Sequence, residues 1–336
     1  MNYGAADGSQ RVSSLMRRIM LMLAAGICAY APSSGAQPGY PSKPIRLVMP
    51  FPAGGASDVV ARIVVQRMSE SLGQNILIDN RGGAAGSIGT EIAAKAPPDG
   101  YTITLGNLST HAINAAIYKL PFAPDRDFAP ITVVAVLTNI LVVHPTMPVH
   151  SVKELISLAR ARPGQIDYAS AGSGSPAHLA GDMFKSMAKV NLNHVPFKGN
   201  APATSDLVAG HVAIMFNAMP AAMPHVRNGR LRALAVTTAK RSRGAPEVPS
   251  IAEAGVPGYD LSSWNGFLAP AGTPREIITR LRDEVVKTLQ IAGVNERLVN
   301  LGADPVGNTP EEFAATIRAD LVRMARFVKE SGAKAD

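Results

Sequence analysis

From residue 45 the chain alternates two apolar patterns. Short continuous runs, "IRLVM", "NILIDN" and "YTITLG", read as buried strands. Between them, apolar residues recur every three or four positions; the first such stretch sets Val59, Val60, Ile63, Val64 and Met68 on one side of a helix. Helical patterns rather than hairpin turns join the runs, which predicts βαβ units and a parallel sheet. The segment "ITVVAVLTNILVVHP" is long for one strand, and a strand of that length can carry the chain from one domain into another.

A second α/β set begins near Ser151, with a helix bearing Val152, Leu155, Ile156 and Ala159. "IDYAS", the loop "AGSGSPAH" and a helix with Leu179, Met183, Phe184 and Met187 on one face follow. "HVAIMF" and "LRALAVTT" read as further strands, and "NGFLAPAGTP" as a strand running into a Thr-Pro helix start. The helix from Arg275 carries Ile277, Ile278, Leu281, Val285 and Leu289, and the last helix Phe313, Ile317, Leu321 and Val328. The C-terminal third is expected to return to the first domain. Two lobes result, residues 37–141 plus 263–336 and residues 142–262, joined by more than one crossover around a cleft of the kind that takes small molecules.

The N-terminus stands outside this pattern. Arg17 and Arg18 precede the apolar stretch "IMLMLAAGICAYA", and small residues follow in "PSSGAQ". A charged region, an apolar core and a cleavage site make residues 1–36 an expected signal peptide, too short to span a bilayer, and place the protein in the periplasm. The single cysteine, Cys28, falls inside it, so the remaining chain offers no thiol catalysis, disulfide or cysteine metal site. Residues 1–36 carry three arginines and one aspartate, so the net charge drops from +8 to +6 without them. The basic residues are scattered apart from "KRSR" at 240–243, and aromatics make up 5%; neither favours nucleic acid as a partner.

The chemistry-bearing stretches are loops. In "MPFPAGGASD" a strand runs into glycines and then a helix, the layout of a phosphate cradle without the lysine of a P-loop or a full dinucleotide fingerprint. Gly54 and Gly55 let backbone amides approach a ligand, and the helix N-terminus behind them favours an anion, a carboxylate as well as a phosphate. Phe51 is placed to wall the pocket beside Ala53. Asp58 has two readings, a first-turn helix stabiliser or an acceptor for a ligand group or bound water. The turn after the third strand offers Asn107 and Thr110. In the second lobe, Ala171, Gly172, Ser173, Gly174 and Ser175 form a second anion-ready loop, with Ser175 as N-cap before Pro176; His178 is either a structural cap or a contact. Phe197 and Lys198 follow a strand, Lys198 being solvated or paired with an acid. No HExxH, paired metal ligands or GxSxG elbow is present, so neither cofactor, metal nor catalytic set is expected.

Seven blocks occur in the order seen in one family: "YPSKPIRLVMPFPAGGASDVVARIV", "DNRGGAAGSIGTEIAAKAPPDGYTI", "DFAPIT", "YASAGSGSPAHLAGDMF", "HVPFKGNAPATSDLVAGHVAIMF", "LRALAVTTAKR" and "AEAGVPGY" with "GFLAPAGTP". The chain resembles the substrate-binding proteins of tripartite tricarboxylate transporters, the Bug or TctC-like extracytoplasmic solute receptors. The resemblance implies a type II periplasmic-binding-protein fold, two Rossmann-like α/β lobes joined by crossover strands around a ligand cleft. It implies a monomeric receptor whose loop at 51–58 holds a ligand carboxyl group, with 171–175 contributing from the other lobe, and which delivers a small carboxylate to membrane permease subunits. Two positions depart from the family pattern: Ala213 where an aspartate is frequent, and Gly82-Gly83 where Pro-Gly is common. The alternatives are an exported hydrolase-like enzyme using Ser173 or Ser175, and a sensor or scaffold receptor not coupled to transport.

Overall fold

The computed structural model describes residues 39–172 and 175–331. The expected signal peptide, Ser173 and Gly174 lie outside the described residues. Along the chain, β1 (Ile45–Met49) leads into α1 (Ala56–Leu72), β2 (Ile76–Asn80), a tight turn and α2 (Ser87–Ala94). Then come β3 (Thr102–Asn107), a π-helical turn (Ser109–Ile113) and α3 (Asn114–Ile117). β4 (Phe128–Leu137) and β5 (Asn139–Val143) follow, then α4 (Val152–Ala161), β6 (Asp167–Ser170) and α5 (Pro176–Ala188). Next are β7 (Asn193–Pro196), α6 (Asn200–Ala209), β8 (Ile214–Ala218), α7 (Met219–Arg227) and β9 (Arg232–Val236). The chain ends with β10 (Ser263–Pro270), α8 (Arg275–Leu289), α9 (Ala292–Asn300), β11 (Ala303–Pro305) and α10 (Pro310–Ser331).

The strands form two sheets, a six-stranded one ordered β11-β4-β10-β3-β1-β2 and a five-stranded one ordered β7-β6-β8-β5-β9. The long apolar run supplies β4 to the first sheet and β5 to the second, and the switch falls at Thr138. Its amide donates to Gly302 and its carbonyl accepts from Met219, so the bend leaves neither backbone group unmet. The second sheet therefore starts at Asn139, ahead of residue 142 where the apolar pattern divides the lobes.

The sheets are mixed, not purely parallel. β2, β1 and β3 run parallel, as the βαβ pattern predicts, but β10 pairs antiparallel with both β3 and β4. In the second sheet β6 is parallel to β7 and β8, while β5 is antiparallel to β8 and β9. The short β11 also pairs antiparallel with β4; the other antiparallel members, β10 and β5, are the strands that pass between lobes. They enter each sheet from the opposite end, which periodicity does not register.

On α1, Val60, Ile63, Val64 and Met68 are buried while Val59 is only half-buried. Each of the four is worth about 1.5–3 kcal/mol as an upper bound on transfer from water. On α8, Ile278, Leu281, Val285 and Leu289 are buried. On β10, Trp264 packs edge-on against Phe313 of α10, and its indole Nε1 donates to Asp320 Oδ2 at 2.8 Å. That bond removes the cost of burying the indole N–H.

Candidate functional site

β1, β3, β6 and β7 each run at their carboxyl end into a loop and a helix start, the place where open α/β sheets bind ligands. After β1, Gly54, Gly55 and Ala56 are exposed, and Phe51 is half-buried. Gly54 takes φ +83°, a left-handed conformation that favours glycine. Gly55 is the N-cap of α1, and no side chain caps the helix. A 17-residue helix thus begins at an exposed glycine pair, with first-turn amides no side chain has claimed.

Asp58 is 1% exposed and lies behind the loop rather than at its face. Its Oδ2 accepts from the Gly54 amide at 2.9 Å and from Arg62 Nε at 2.7 Å; its Oδ1 accepts from Asn80 Nδ2 at 3.0 Å and Arg62 Nη2 at 3.2 Å. Asn80 Nδ2 also donates to the Phe51 carbonyl at 3.0 Å. Burial acts to raise the Asp58 pKa, but the bonds from Arg62, Asn80 and Gly54 prevail and hold it below the usual carboxylate value. With both oxygens engaged, Asp58 has the first of its two readings extended: it stabilises the helix start and also sets the loop.

The second support comes from residues 82–86. Ala84 and Ala85 both take left-handed φ, +46° and +53°, which costs alanine conformational energy. The Ala85 carbonyl is held by Asn114 Nδ2 at 2.8 Å. A Cβ on Gly86 would stand 2.7 Å from the Thr110 methyl, and one on Gly89 would meet the Pro50 backbone at 2.8 Å. The glycines of "RGGAAGSIG" therefore let α2 press against the base of the first loop. Gly82, in the Gly82-Gly83 departure from the family pattern, lies against Pro52.

Asn107 and Thr110 form a closed turn. The Asn107 amide donates to Thr110 Oγ1 and the Thr110 amide to Asn107 Oδ1, each at 3.0 Å. Thr110 is fully enclosed, and its hydroxyl also meets His111 Nδ1 at 2.9 Å; this hydroxyl is spent on the turn. Burial pushes His111 down to about 3, so the ring is neutral.

In the second lobe Ser175 is the N-cap of α5, its Oγ accepting from the His178 amide at 3.3 Å. Gly172 takes φ +121°, and its amide donates to Ser170 Oγ at 3.1 Å. Ser170 Oγ also stands 2.6 Å from His194 Nε2. The His194 ring stacks on His178 with centroids 4.1 Å apart, and His178 Nε2 lies 3.2 Å from Asp182. Burial, then the charge on His178, lowers His194 to about 4. Ser170 is fully buried and ties the loop; this is a structural chain rather than an exposed nucleophile with its base. Gly172 also approaches the Phe197 carbonyl, bringing 171–172 beside half-buried Phe197 and exposed Lys198. Ala213, the other departure from the family pattern, sits just before β8, where its carbonyl accepts from the His144 amide and its side chain packs on the core.

The structure thus gathers Phe51, Ala53, Gly54 and Gly55 at one helix start, and Ala171, Gly172, Ser175, His178, Phe197 and Lys198 around another. Asn80, Ala84, Ala85 and Asn114 behind the first loop, and Ser170 and His194 behind the second, are the supports that the sequence patterns did not single out. Only the glycine density of 82–89 carried a signal; the others act through partners far along the chain. No cluster of three or more histidine, cysteine or acidic residues suited to a metal occurs among the described residues.

The model of the tripartite tricarboxylate transporter family receptor, TctC, matches residues 60–333. Protein BugT of Bordetella pertussis is 38% identical over 297 residues, covering 88% of this chain and 91% of that protein. Two solved structures from Rhodopseudomonas palustris are similar. Rpa4515 with adipate is 40% identical, covers 88% of this chain and 99% of the other, and superposes with a TM-score of 0.74. MatC with bound malate is 33% identical, covers 86% and 100%, with a TM-score of 0.70. The chain belongs to the tripartite tricarboxylate transporter family of receptors and has the fold of the periplasmic binding protein BugD, to which it is 33% identical, covering 88% of this chain and 100% of that one with a TM-score of 0.71.

Proposed function

We propose that this protein is a periplasmic solute receptor that closes its two lobes on a small carboxylate and hands it to the permease subunits of a tripartite transporter. The observation that carries this reading is the uncapped 17-residue helix starting at exposed Gly54 and Gly55. Backbone amides and a helix dipole offer an anion site without a basic side chain, and a carboxylate fits it. Adipate and malate in the two relatives point to the same ligand class. The loop at 171–175, with Ser175 and the α5 N-terminus, serves the far end of the solute. Closure follows because the solute binds the closed form more tightly than the open one.

The test is calorimetry and thermal unfolding of the exported chain with adipate, malate, citrate, glutamate and benzoate. At a hundredfold excess over Kd, a bound solute stabilises by about 2.7 kcal/mol. At least one carboxylate is expected to bind and raise Tm, and its amide analogue is expected not to. Absence of heat and of any shift across the panel overturns the reading.

A further inference from the structure

Asn265 sits on β10 directly opposite Asn107 of β3, at a register irregularity before Gly266. Its side chain is fully enclosed, and its Oδ1 accepts from Ser57 Oγ at 2.8 Å. Its Nδ2 is buried with no hydrogen-bond partner. A native structure rarely leaves an amide nitrogen in that state, and each such group calls for an explanation. The bond to Ser57 fixes where this amide lies: against the first turn of α1, since Ser57 is two residues past the Gly55 N-cap.

The two ends of an asparagine amide are opposite in kind, one accepting and one donating, and a half-turn about the last side-chain bond exchanges them. With Oδ1 toward Ser57, as here, the serine proton is committed to Asn265. With Nδ2 toward Ser57, Asn265 donates to Oγ, and the serine proton is released to point elsewhere. Ser57 is half-buried in the first helical turn, where an anion would sit.

We propose that Ser57 and Asn265 form a two-position hydrogen-bond switch at the α1 site. In the first position Ser57 donates to Asn265. When a carboxylate docks on the first-turn amides, the Asn265 amide turns, its Nδ2 donates to Ser57 Oγ, and the Ser57 hydroxyl donates to the carboxylate oxygen. Ser57 is the contact residue, and Asn265 is the positioning residue. This rests on the carboxylate-receptor reading above and adds the side-chain donor that reading lacks.

The experiment is a double-mutant cycle on Kd, by calorimetry, using the carboxylate of the five-member panel that the wild-type chain binds most tightly, with circular dichroism and Tm for every variant. One hydrogen bond to a charged acceptor corresponds to about a tenfold loss, so S57A is expected to raise Kd about tenfold. N265L keeps the volume but removes the donor; it is expected to raise Kd roughly threefold to tenfold with Ser57 present, and not at all in the S57A background. N265D accepts only, holds the serine proton and repels the solute, so it is expected to lose more than S57A. A structural role alone would make N265L cost the same in both backgrounds. That result, or wild-type affinity in N265L or N265D, overturns the switch while leaving the receptor reading standing. If the wild-type chain binds none of the five, the receptor reading fails and the switch with it.

Discussion

Asp58→Asn isolates the role of the buried carboxylate behind the glycine loop. Asp58 accepts four hydrogen bonds, from Gly54, Asn80 and twice from Arg62. Asparagine keeps one acceptor and turns a donor toward either Gly54 and Arg62 Nε or Asn80 and Arg62 Nη2, so one side of the network is lost. A hydrogen bond to a charged group contributes about 1.5–3 kcal/mol. The Arg62 part is discounted, because that side chain is 51% exposed and rejoins water readily. The net expectation is a loss of about 2 kcal/mol, a fall in Tm of roughly 5 °C for a chain of this size. Freeing the Gly54 amide also returns conformational freedom to the loop, which costs about 1 kcal/mol to reorder on binding, or roughly a fivefold weaker Kd. The assays are thermal unfolding and calorimetry on the same preparation. Because the Asp58 pKa is lowered in the folded chain, its stabilisation is present above the unfolded value and lost as pH falls through the lowered folded value. D58N should therefore show a flatter stability profile at the acid end. An unchanged Tm with a weakened Kd would put Asp58 on the solute and refute the supporting role; no change in either would refute both.

Three further outcomes follow from the packing. Gly181→Ala normally favours a helix, but a Cβ there would stand 2.7 Å from Cζ of buried Tyr168; a loss of about 2 kcal/mol is expected in urea unfolding, against the usual gain. His194 is lowered to about 4 and His111 to about 3, both chiefly by burial. Their stabilisation is complete above about 6.5 and is lost as pH falls toward those values, on the order of 3 kcal/mol for His194; Tm at pH 4.5 should lie well below that at pH 7.5, and His194→Gln should reduce the gap. Ala85→Gly relieves a left-handed alanine at φ +53° and should leave the protein as stable or gain up to about 1 kcal/mol, while Ala85→Val should lose at least as much, read by Tm.

What the sequence made legible was whatever depends on neighbours along the chain. Residues 45–49 form β1 as the apolar run predicts, and Ser175 caps α5 through a bond three residues long. The switch between sheets was visible as a strand too long for one sheet, though not its position at Thr138, which depends on Gly302 and Met219. The supports of the first loop were illegible for the same reason. Asp58 meets Asn80 across 22 positions, and Ser57 meets Asn265 across 208. The left-handed pair Ala84 and Ala85 was equally hidden, since alanine does not announce a positive φ. The glycines around it did announce close approach, but not that Pro50 and Thr110 were the surfaces approached.

These supports bear on how such a receptor would divide its work. Asp58, Asn80, Asn107, Thr110 and Asn114 each commit a polar atom to loop backbone or to one another. On the carboxylate reading, the first lobe binds with backbone amides while its side chains hold those amides in place. Pre-ordered loops lower the entropy cost of binding, but backbone donors read a carboxylate and little beyond it. Discrimination between one carboxylate and another then falls to the residues around the second helix start, such as Phe197 and Lys198. Changes at residue 265 act through Ser57 on the carboxyl group that every solute shares, so they should weaken the whole calorimetric panel and keep its ranking, whereas Phe197→Ala or Lys198→Ala should alter the ranking. Reordering by the residue 265 series, with none from changes at 197 and 198, would show that the first lobe chooses the solute.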